Sequence, residues 1–345
     1  WSQAHWDALR APMKMLADAG QKVITATLNK RPWNGQTEDA FDSMIGWMKK
    51  KDGSWEYDFT IFDNWVQFMM DLGIKDQINC YSMVPWGNFL FYTDEATGEE
   101  VRVSAAPGTK EYADIWIPFL KEFVKHLDEK GWRGITRIAM DERAPAEMKA
   151  MLKLLEETAP GMGVALADNH KSYKEYPDQL TDLCLAHGAV VEPEDRIYRA
   201  EKGYVTTWYV CCTDIFPNIF TFSDPAEGAF IGWYTIAGGF DGFLRWAYNS
   251  WVKEPLIDSR FRTWPAGDTY TIYPDGRSSI RFERLREGIQ DAEKILILRE
   301  KFQNEPEKLA QLNEMVSRFN ILQKPADLEG LVRDGKKLLE DLSRY

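Results

Sequence analysis

The chain has 345 residues, 44% of them hydrophobic and 28% charged, a composition that belongs to globular proteins rather than disordered ones. A formal net charge of -12, with no dense cluster of Lys and Arg, argues against a nucleic-acid partner, which requires a basic face. No apolar run reaches the roughly 18 residues of a membrane span. The four cysteines lack CxxC spacing and the four histidines lack HxH or HExxH spacing, which speaks against a disulfide scaffold and a metal site.

In chain order, strands are predicted at Lys22–Leu28, Gln77–Met83, Ile135–Asp141, Gly163–Asp168, Ala189–Val191, Val205–Cys211 and Gly242–Tyr248. Helical spacing fills the intervals. Phe62, Trp65, Val66 and Met69 form one face ahead of Gly73; Ile115, Phe119, Phe123 and Leu127 form another ahead of Gly131. Met148, Met151, Leu152 and Leu155 follow Pro145, a residue suited to a first helical turn. Cys184 sits in a helix-like run, Lys49-Lys50-Lys51 reads as a solvated helix end, and all four cysteines read as small buried hydrophobes. After Tyr273 the pattern is helical over Ser279–Lys301, Glu305–Phe319 and Ala326–Leu342.

Strands alternating with helices predict parallel pairing through helical crossovers, hence an α/β fold. No glycine-rich phosphate loop follows the first strand, and Gly238-Gly239-Phe240-Asp241-Gly242 precedes a strand rather than opening a helix, so it reads as a turn. The expected architecture is a (β/α)8 TIM-type barrel over residues 1–302, with helices of 303–345 packed on it as a C-terminal annex. Seven strands against the eight such a barrel needs place the first one upstream of Trp1 or in a segment without a recognisable pattern.

Barrel active sites lie at the C-terminal ends of the strands. There, Ile135-Thr-Arg-Ile-Ala-Met ends in two carboxylates, Asp141 and Glu142. They either cap the following helix, whose first turn favours acidic groups, or form a site. Adjacent residues of a strand point to opposite faces, so the pair is poorly placed to act as separated acid and nucleophile about 5–5.5 Å apart. It suits a 2-acetamido sugar, whose own carbonyl oxygen attacks the anomeric carbon while one carboxyl orients the acetamide and the other protonates the leaving oxygen. Polar and aromatic residues at the other strand ends supply sugar contacts: Asn79 and Tyr81, Trp208 and Tyr209, then Arg245, Trp246, Tyr248 and Asn249. For each ring alone, ordinary core packing competes with this assignment.

The Asp141-Glu142 pair, Gly242-Phe-Leu-Arg-Trp-Ala-Tyr-Asn249, Trp264-Pro-Ala-Gly-Asp268, Tyr273-Pro274 and Ser279-Ile-Arg-Phe-Glu-Arg-Leu-Arg-Glu-Gly-Ile-Gln-Asp291 form an ordered set. With Gly20-Gln-Lys-Val-Ile-Thr25, Trp55-Glu-Tyr-Asp58 and Cys80-Tyr-Ser-Met-Val-Pro-Trp86, the set is similar to glycoside hydrolase family 123, the β-N-acetylgalactosaminidases, over nearly the whole chain. The resemblance implies a retaining, substrate-assisted exo-hydrolase of terminal β-linked N-acetylgalactosamine on glycolipid or glycoprotein glycans. Glu142 is then general acid/base and Asp141 the acetamide-orienting carboxylate, with no cofactor and no metal. Trp246 is expected under the sugar or beside the acetamide, Tyr209 on the acetamide oxygen and Asp268 on ring hydroxyls. The resemblance further implies a β-sandwich upstream and a periplasmic or secreted bacterial setting. The other readings are a carbohydrate-binding barrel without hydrolysis and a barrel glycosidase acting on another sugar.

Overall fold

A computed structural model describes residues 1–344. In chain order the regular elements are α1 (Gln3–Asp18), β1 (Val23–Thr27), β2 (Gly46–Lys49), β3 (Trp55–Asp58), α2 (Thr60–Asp71), β4 (Gln77–Tyr81), β5 (Phe89–Asp94), β6 (Glu100–Ser104), α3 (Lys110–Lys130), β7 (Thr136–Met140), α4 (Pro145–Thr158), β8 (Gly163–Asp168) and β9 (Asp182–Ala186). There follow α5 (Pro193–Glu201), β10 (Val205–Tyr209), α6 (Ala226–Ala237), β11 (Gly242–Leu244), α7 (Ile280–Lys301), α8 (Pro306–Ser317) and α9 (Leu328–Ser343). The main sheet has seven strands in the order β1-β4-β7-β8-β9-β10-β11, the number counted in the sequence, and the described residues do not show a full eight-stranded barrel. The fold is α/β with helices at the C-terminal end, as the alternation predicts.

The chain divides into two compact units, one of residues 1–183 and 199–204, the other of residues 184–198 and from 205 onward. In the first, β1–β4, β4–β7 and β7–β8 pair in parallel. Along β4, Ile78 and Cys80 are fully buried on one face, and period-two alternation sends Gln77, Asn79 and Tyr81 to the other. α3 ends at Gly131, whose φ of 72° is the left-handed conformation a glycine C-cap supplies. Pro145 opens α4 as the sequence suggests.

This unit also holds a four-stranded sheet, β3-β2-β5-β6, that the sequence reading omits. Its strands lie in the connections that follow β1 and β4. Lys49-Lys50-Lys51 is therefore the end of β2 and its hairpin turn, not a helix end. The strand predicted at Ala189–Val191 is likewise displaced: those residues are irregular, and β9 takes Asp182–Ala186, which includes Cys184. Leu183, Cys184 and Leu185 are buried without alternation, so the run carries no period by which a strand could be told from a helix.

In the second unit, β10 and β11 pair in parallel. α6, α7, α8 and α9 share one core that includes Phe230, Trp233, Ile295, Phe302, Leu312, Phe319 and Leu339. α6 is buried along ten of its twelve residues, leaving no polar stripe. It crosses α7 at paired glycines: a Cβ on Gly232 would stand 2.0 Å from the Gly288 carbonyl oxygen.

Candidate functional site

β7 stops at Met140, so Asp141 and Glu142 lie just beyond the strand. Continuing the alternation of β7, Asp141 falls on the face of Arg137 and Ala139. Those residues are in register with Asn79 and Tyr81 of β4, so Asp141 rises one step above Tyr81 on the same face. The cap position of α4 is Ala144, which has no side-chain cap bond, and the helix-cap reading of the carboxylates is thereby set aside.

Both oxygens of Asp141 are held. Oδ1 accepts from the backbone N–H of Glu142 at 2.9 Å, and Oδ2 accepts from the indole Nε1 of Trp86 at 2.7 Å. Trp86 stands in a turn between β4 and β5 in which Gly87 takes a φ of 84° and the Asn88 N–H donates to the Pro85 carbonyl. Its own N–H donates to the Pro32 carbonyl at 2.9 Å, and Asn88 Nδ2 ties the turn to Glu147 in the first turn of α4 at 2.7 Å. Arg143 stacks on the indole: its Cζ lies 3.7 Å from the centre of a Trp86 ring. Burial moves that guanidinium below its ordinary pKa, opposed by Asp141, Glu147 and Glu142 in that order.

The other first-unit positions divide. Tyr81 is half-buried with its ring 5.2 Å from Trp33, a loop residue the sequence reading does not single out. Asn79 is 6% exposed and committed to its neighbours: Oδ1 accepts from Gln77 at 2.9 Å and Nδ2 donates to Asp182 at 3.4 Å. Asp182 is raised above the usual carboxylate range by burial, against the pull of Gln77, Asn79, Arg137 and Arg199. Gly163 makes room for this polar layer, since a Cβ there would meet Arg137 Cδ at 2.5 Å.

In the second unit, three of the expected residues meet. Arg245 Nη2 donates to Asp268 Oδ1 at 3.0 Å and to the Asp268 carbonyl, and Trp246 Nε1 lies 3.4 Å from the same Oδ1. Arg245 is moved below its ordinary pKa by burial, which Asp268 opposes. Asp268 itself is 1% exposed, so its carboxylate serves first as the counter-ion of Arg245 and organises the loop. Arg281 fixes the preceding residue, donating to the Gly267 carbonyl at 2.9 Å. Trp246 remains half-buried, edge-on to Trp264 at 5.3 Å. Asn249 pairs with Tyr270 in an antiparallel bridge, and Tyr248 packs on Phe282, where burial raises its phenol pKa.

Trp208 is a correction. Its indole is 1% exposed, donates to Thr235 Oγ1 at 2.9 Å and packs on Tyr234, Phe240 and Phe243, so it belongs to the core between β10 and α6. Strand alternation turns Tyr209, 6% exposed, to the opposite face. The cysteines are a second correction: Cys80 and Cys184 are buried as expected, whereas Cys211 and Cys212 are partly exposed.

Trp86 and Arg143 are the residues that sequence reasoning missed as parts of the site. Trp86 falls within a quoted motif, and Arg143 directly follows the acidic pair, but spacing does not reveal an indole bonded to a carboxylate across 55 residues. Among the described residues no group of His, Cys, Asp or Glu is arranged to hold a metal ion, and no helix is long and apolar enough to cross a membrane.

Comparison with known proteins adds two findings. A family profile described as Glycoside hydrolase 123, catalytic domain, matches residues 1–298. The fold is similar to that of a family 123 glycoside hydrolase from Clostridium perfringens, whose structural analysis concerns glycolipid glycan hydrolysis, with a TM-score of 0.89 and 32% identity. The similarity covers 99% of this chain and 65% of that one, so the chain spans a little under two thirds of its relative's length. No curated protein sequence matches.

Proposed function

Because the chain belongs to glycoside hydrolase family 123, we propose that it is a retaining exo-β-N-acetylgalactosaminidase acting by substrate assistance on terminal β-linked N-acetylgalactosamine. The observation that carries this reading is the placement of Asp141 and Glu142 as neighbours beyond β7, with Asp141 held by two N–H donors. A carboxylate so held has a fixed orientation and still has lone pairs to accept an acetamide N–H. Glycans with a terminal N-acetylgalactosamine, such as those of glycolipids or glycoproteins, are the proposed substrates.

In the first step the acetamide carbonyl oxygen bonds to the anomeric carbon as the bond to the glycosidic oxygen breaks. Glu142 gives its proton to that departing oxygen. Asp141 accepts from the acetamide N–H, aims the carbonyl and offsets the positive charge of the oxazolinium ion. Water then bonds to the anomeric carbon from the vacated side and gives a proton to Glu142, while the bond from that carbon to the acetamide oxygen breaks and returns its electron pair to the acetamide, with net retention. Trp246 is assigned to stacking on an apolar sugar face and Tyr209 to the acetamide oxygen, on the chemistry of their side chains. We assign Asn79, Arg245 and Asp268 to the support of binding residues, in keeping with their internal hydrogen bonds.

Leaving-group dependence tests the division of labour. Glu142→Gln is expected to retain far more activity on a 4-nitrophenyl glycoside, whose leaving group needs little protonation, than on a disaccharide. Asp141→Asn is expected to slow both alike, because orientation of the acetamide precedes any departure. Equal, modest losses in both variants on both substrates would end the assignment.

A further inference from the structure

We propose that Trp86 and Arg143 form a positioning pair that fixes Asp141 for its work on the substrate acetamide. The proposal rests on the reading of Asp141 given above.

Arg143 is 8% exposed, and two of its guanidinium nitrogens, Nε and Nη2, are buried with no hydrogen-bond partner. A buried arginine is ordinarily sustained by a carboxylate that its fork engages. No such bond is made among the described residues, so the side chain is not buried for the sake of its own hydrogen bonds. What it does have is the face of Trp86 at 3.7 Å and the fields of Asp141, Glu147 and Glu142. A cation over an indole face is attracted by the ring quadrupole, and more strongly when water is excluded. The same cation draws electron density from the ring and makes the N–H at its edge a better donor. That N–H is the one bonded to Asp141 Oδ2 at 2.7 Å.

The pair is also anchored at its far side. The Trp86 backbone N–H is bonded to Pro32, and Asn88, two residues on, is bonded to Glu147 of α4. The turn that carries the indole is thereby tied to the loop after β1 and to the start of α4. Asp141 receives one fixed donor from its own backbone neighbour and one from a side chain so braced. A carboxylate rotated by loss of the second donor would no longer present its free lone pair to the acetamide N–H, and the carbonyl would lose its aim at the anomeric carbon.

A double-mutant cycle on 4-nitrophenyl β-N-acetylgalactosaminide tests this. Trp86→Phe keeps a ring for Arg143 and removes only the N–H. It is expected to lower kcat by on the order of 10- to 100-fold, as loss of an orienting partner does, with KM little changed. In the Asp141→Asn background the same substitution is expected to add almost nothing, because its effect runs through that carboxylate. Arg143→Met is expected to lower kcat, and Arg143→Lys, which keeps a cation over the ring, to recover part of the loss. Wild-type kcat in a folded Trp86→Phe, or losses that multiply in the double variant, would overturn the proposal. So would Arg143→Met and Arg143→Lys behaving alike. Inhibition by an N-acetylgalactosamine-derived thiazoline is followed in parallel: failure to inhibit the wild type counts against the acetamide role of Asp141, while the cycle still decides whether Trp86 acts through it.

Discussion

A single indole shows how differently one residue type is used in this protein. Trp86 presents its N–H to a carboxylate of the acidic pair, whereas Trp208 gives its N–H to Thr235 inside the core. The sequence reading assigns Trp208 to the sugar as one of several aromatics gathered near strand ends, but alternation can send only one of two neighbours to a given face. Trp208 is the one that bonds to Thr235 and packs on Tyr234 of α6. Trp208→Phe is accordingly expected to cost about 1–2 kcal/mol of stability, from one lost hydrogen bond and a partly filled space, with KM unchanged. Thermal unfolding alongside steady-state kinetics checks this; a raised KM at unaltered stability would return Trp208 to the substrate. The acidic pair draws notice in the sequence because two adjacent carboxylates at the end of an apolar run are costly unless used. Its support does not, since Trp86 and Asp141 are distant in sequence and Arg143 resembles any surface charge until its burial is known.

Elements with a clean period were legible and the others were not. α2, α3 and α4 announce themselves by apolar faces, and Gly131 and Pro145 mark their ends. α6 carries no face that the sequence singles out, because Ala-Glu-Gly-Ala-Phe-Ile-Gly-Trp-Tyr-Thr-Ile-Ala is buried on nearly every side and has no polar stripe to give a 3.6-residue rhythm. β2, β3, β5 and β6 were missed because they belong to insertions between elements of the main sheet, where short strands pair with one another. β9 was missed for want of alternation and of β-branched residues in Asp-Leu-Cys-Leu-Ala. α6 and α7 approach so closely that Gly232 and Gly288 leave no room for side chains. Gly232→Ala is expected to cost about 1–3 kcal/mol by forcing the helices apart. An unchanged unfolding midpoint in that variant would show that the crossing can relax.

For the molecule as a whole, composition excludes more than it assigns. A net charge of -12 disfavours polyanionic partners and leaves neutral glycans among the compatible ligands. The seven-stranded order of the main sheet explains why seven strands, not eight, could be counted, although one of the seven was counted in the wrong place. Family membership fixes the class of chemistry to be tested, and the proposed mechanism rests on Asp141 and Glu142. The central claim is that the substrate's own acetamide oxygen is the nucleophile. The most direct measurement compares 4-nitrophenyl β-galactosaminides bearing N-acetyl, N-fluoroacetyl, N-difluoroacetyl and N-trifluoroacetyl groups, which differ chiefly in the nucleophilicity of that oxygen. A steep, monotonic fall of kcat/KM along the series is the predicted result. A flat series would contradict the account, because it would mean that the bond to the anomeric carbon is made by something other than the acetamide.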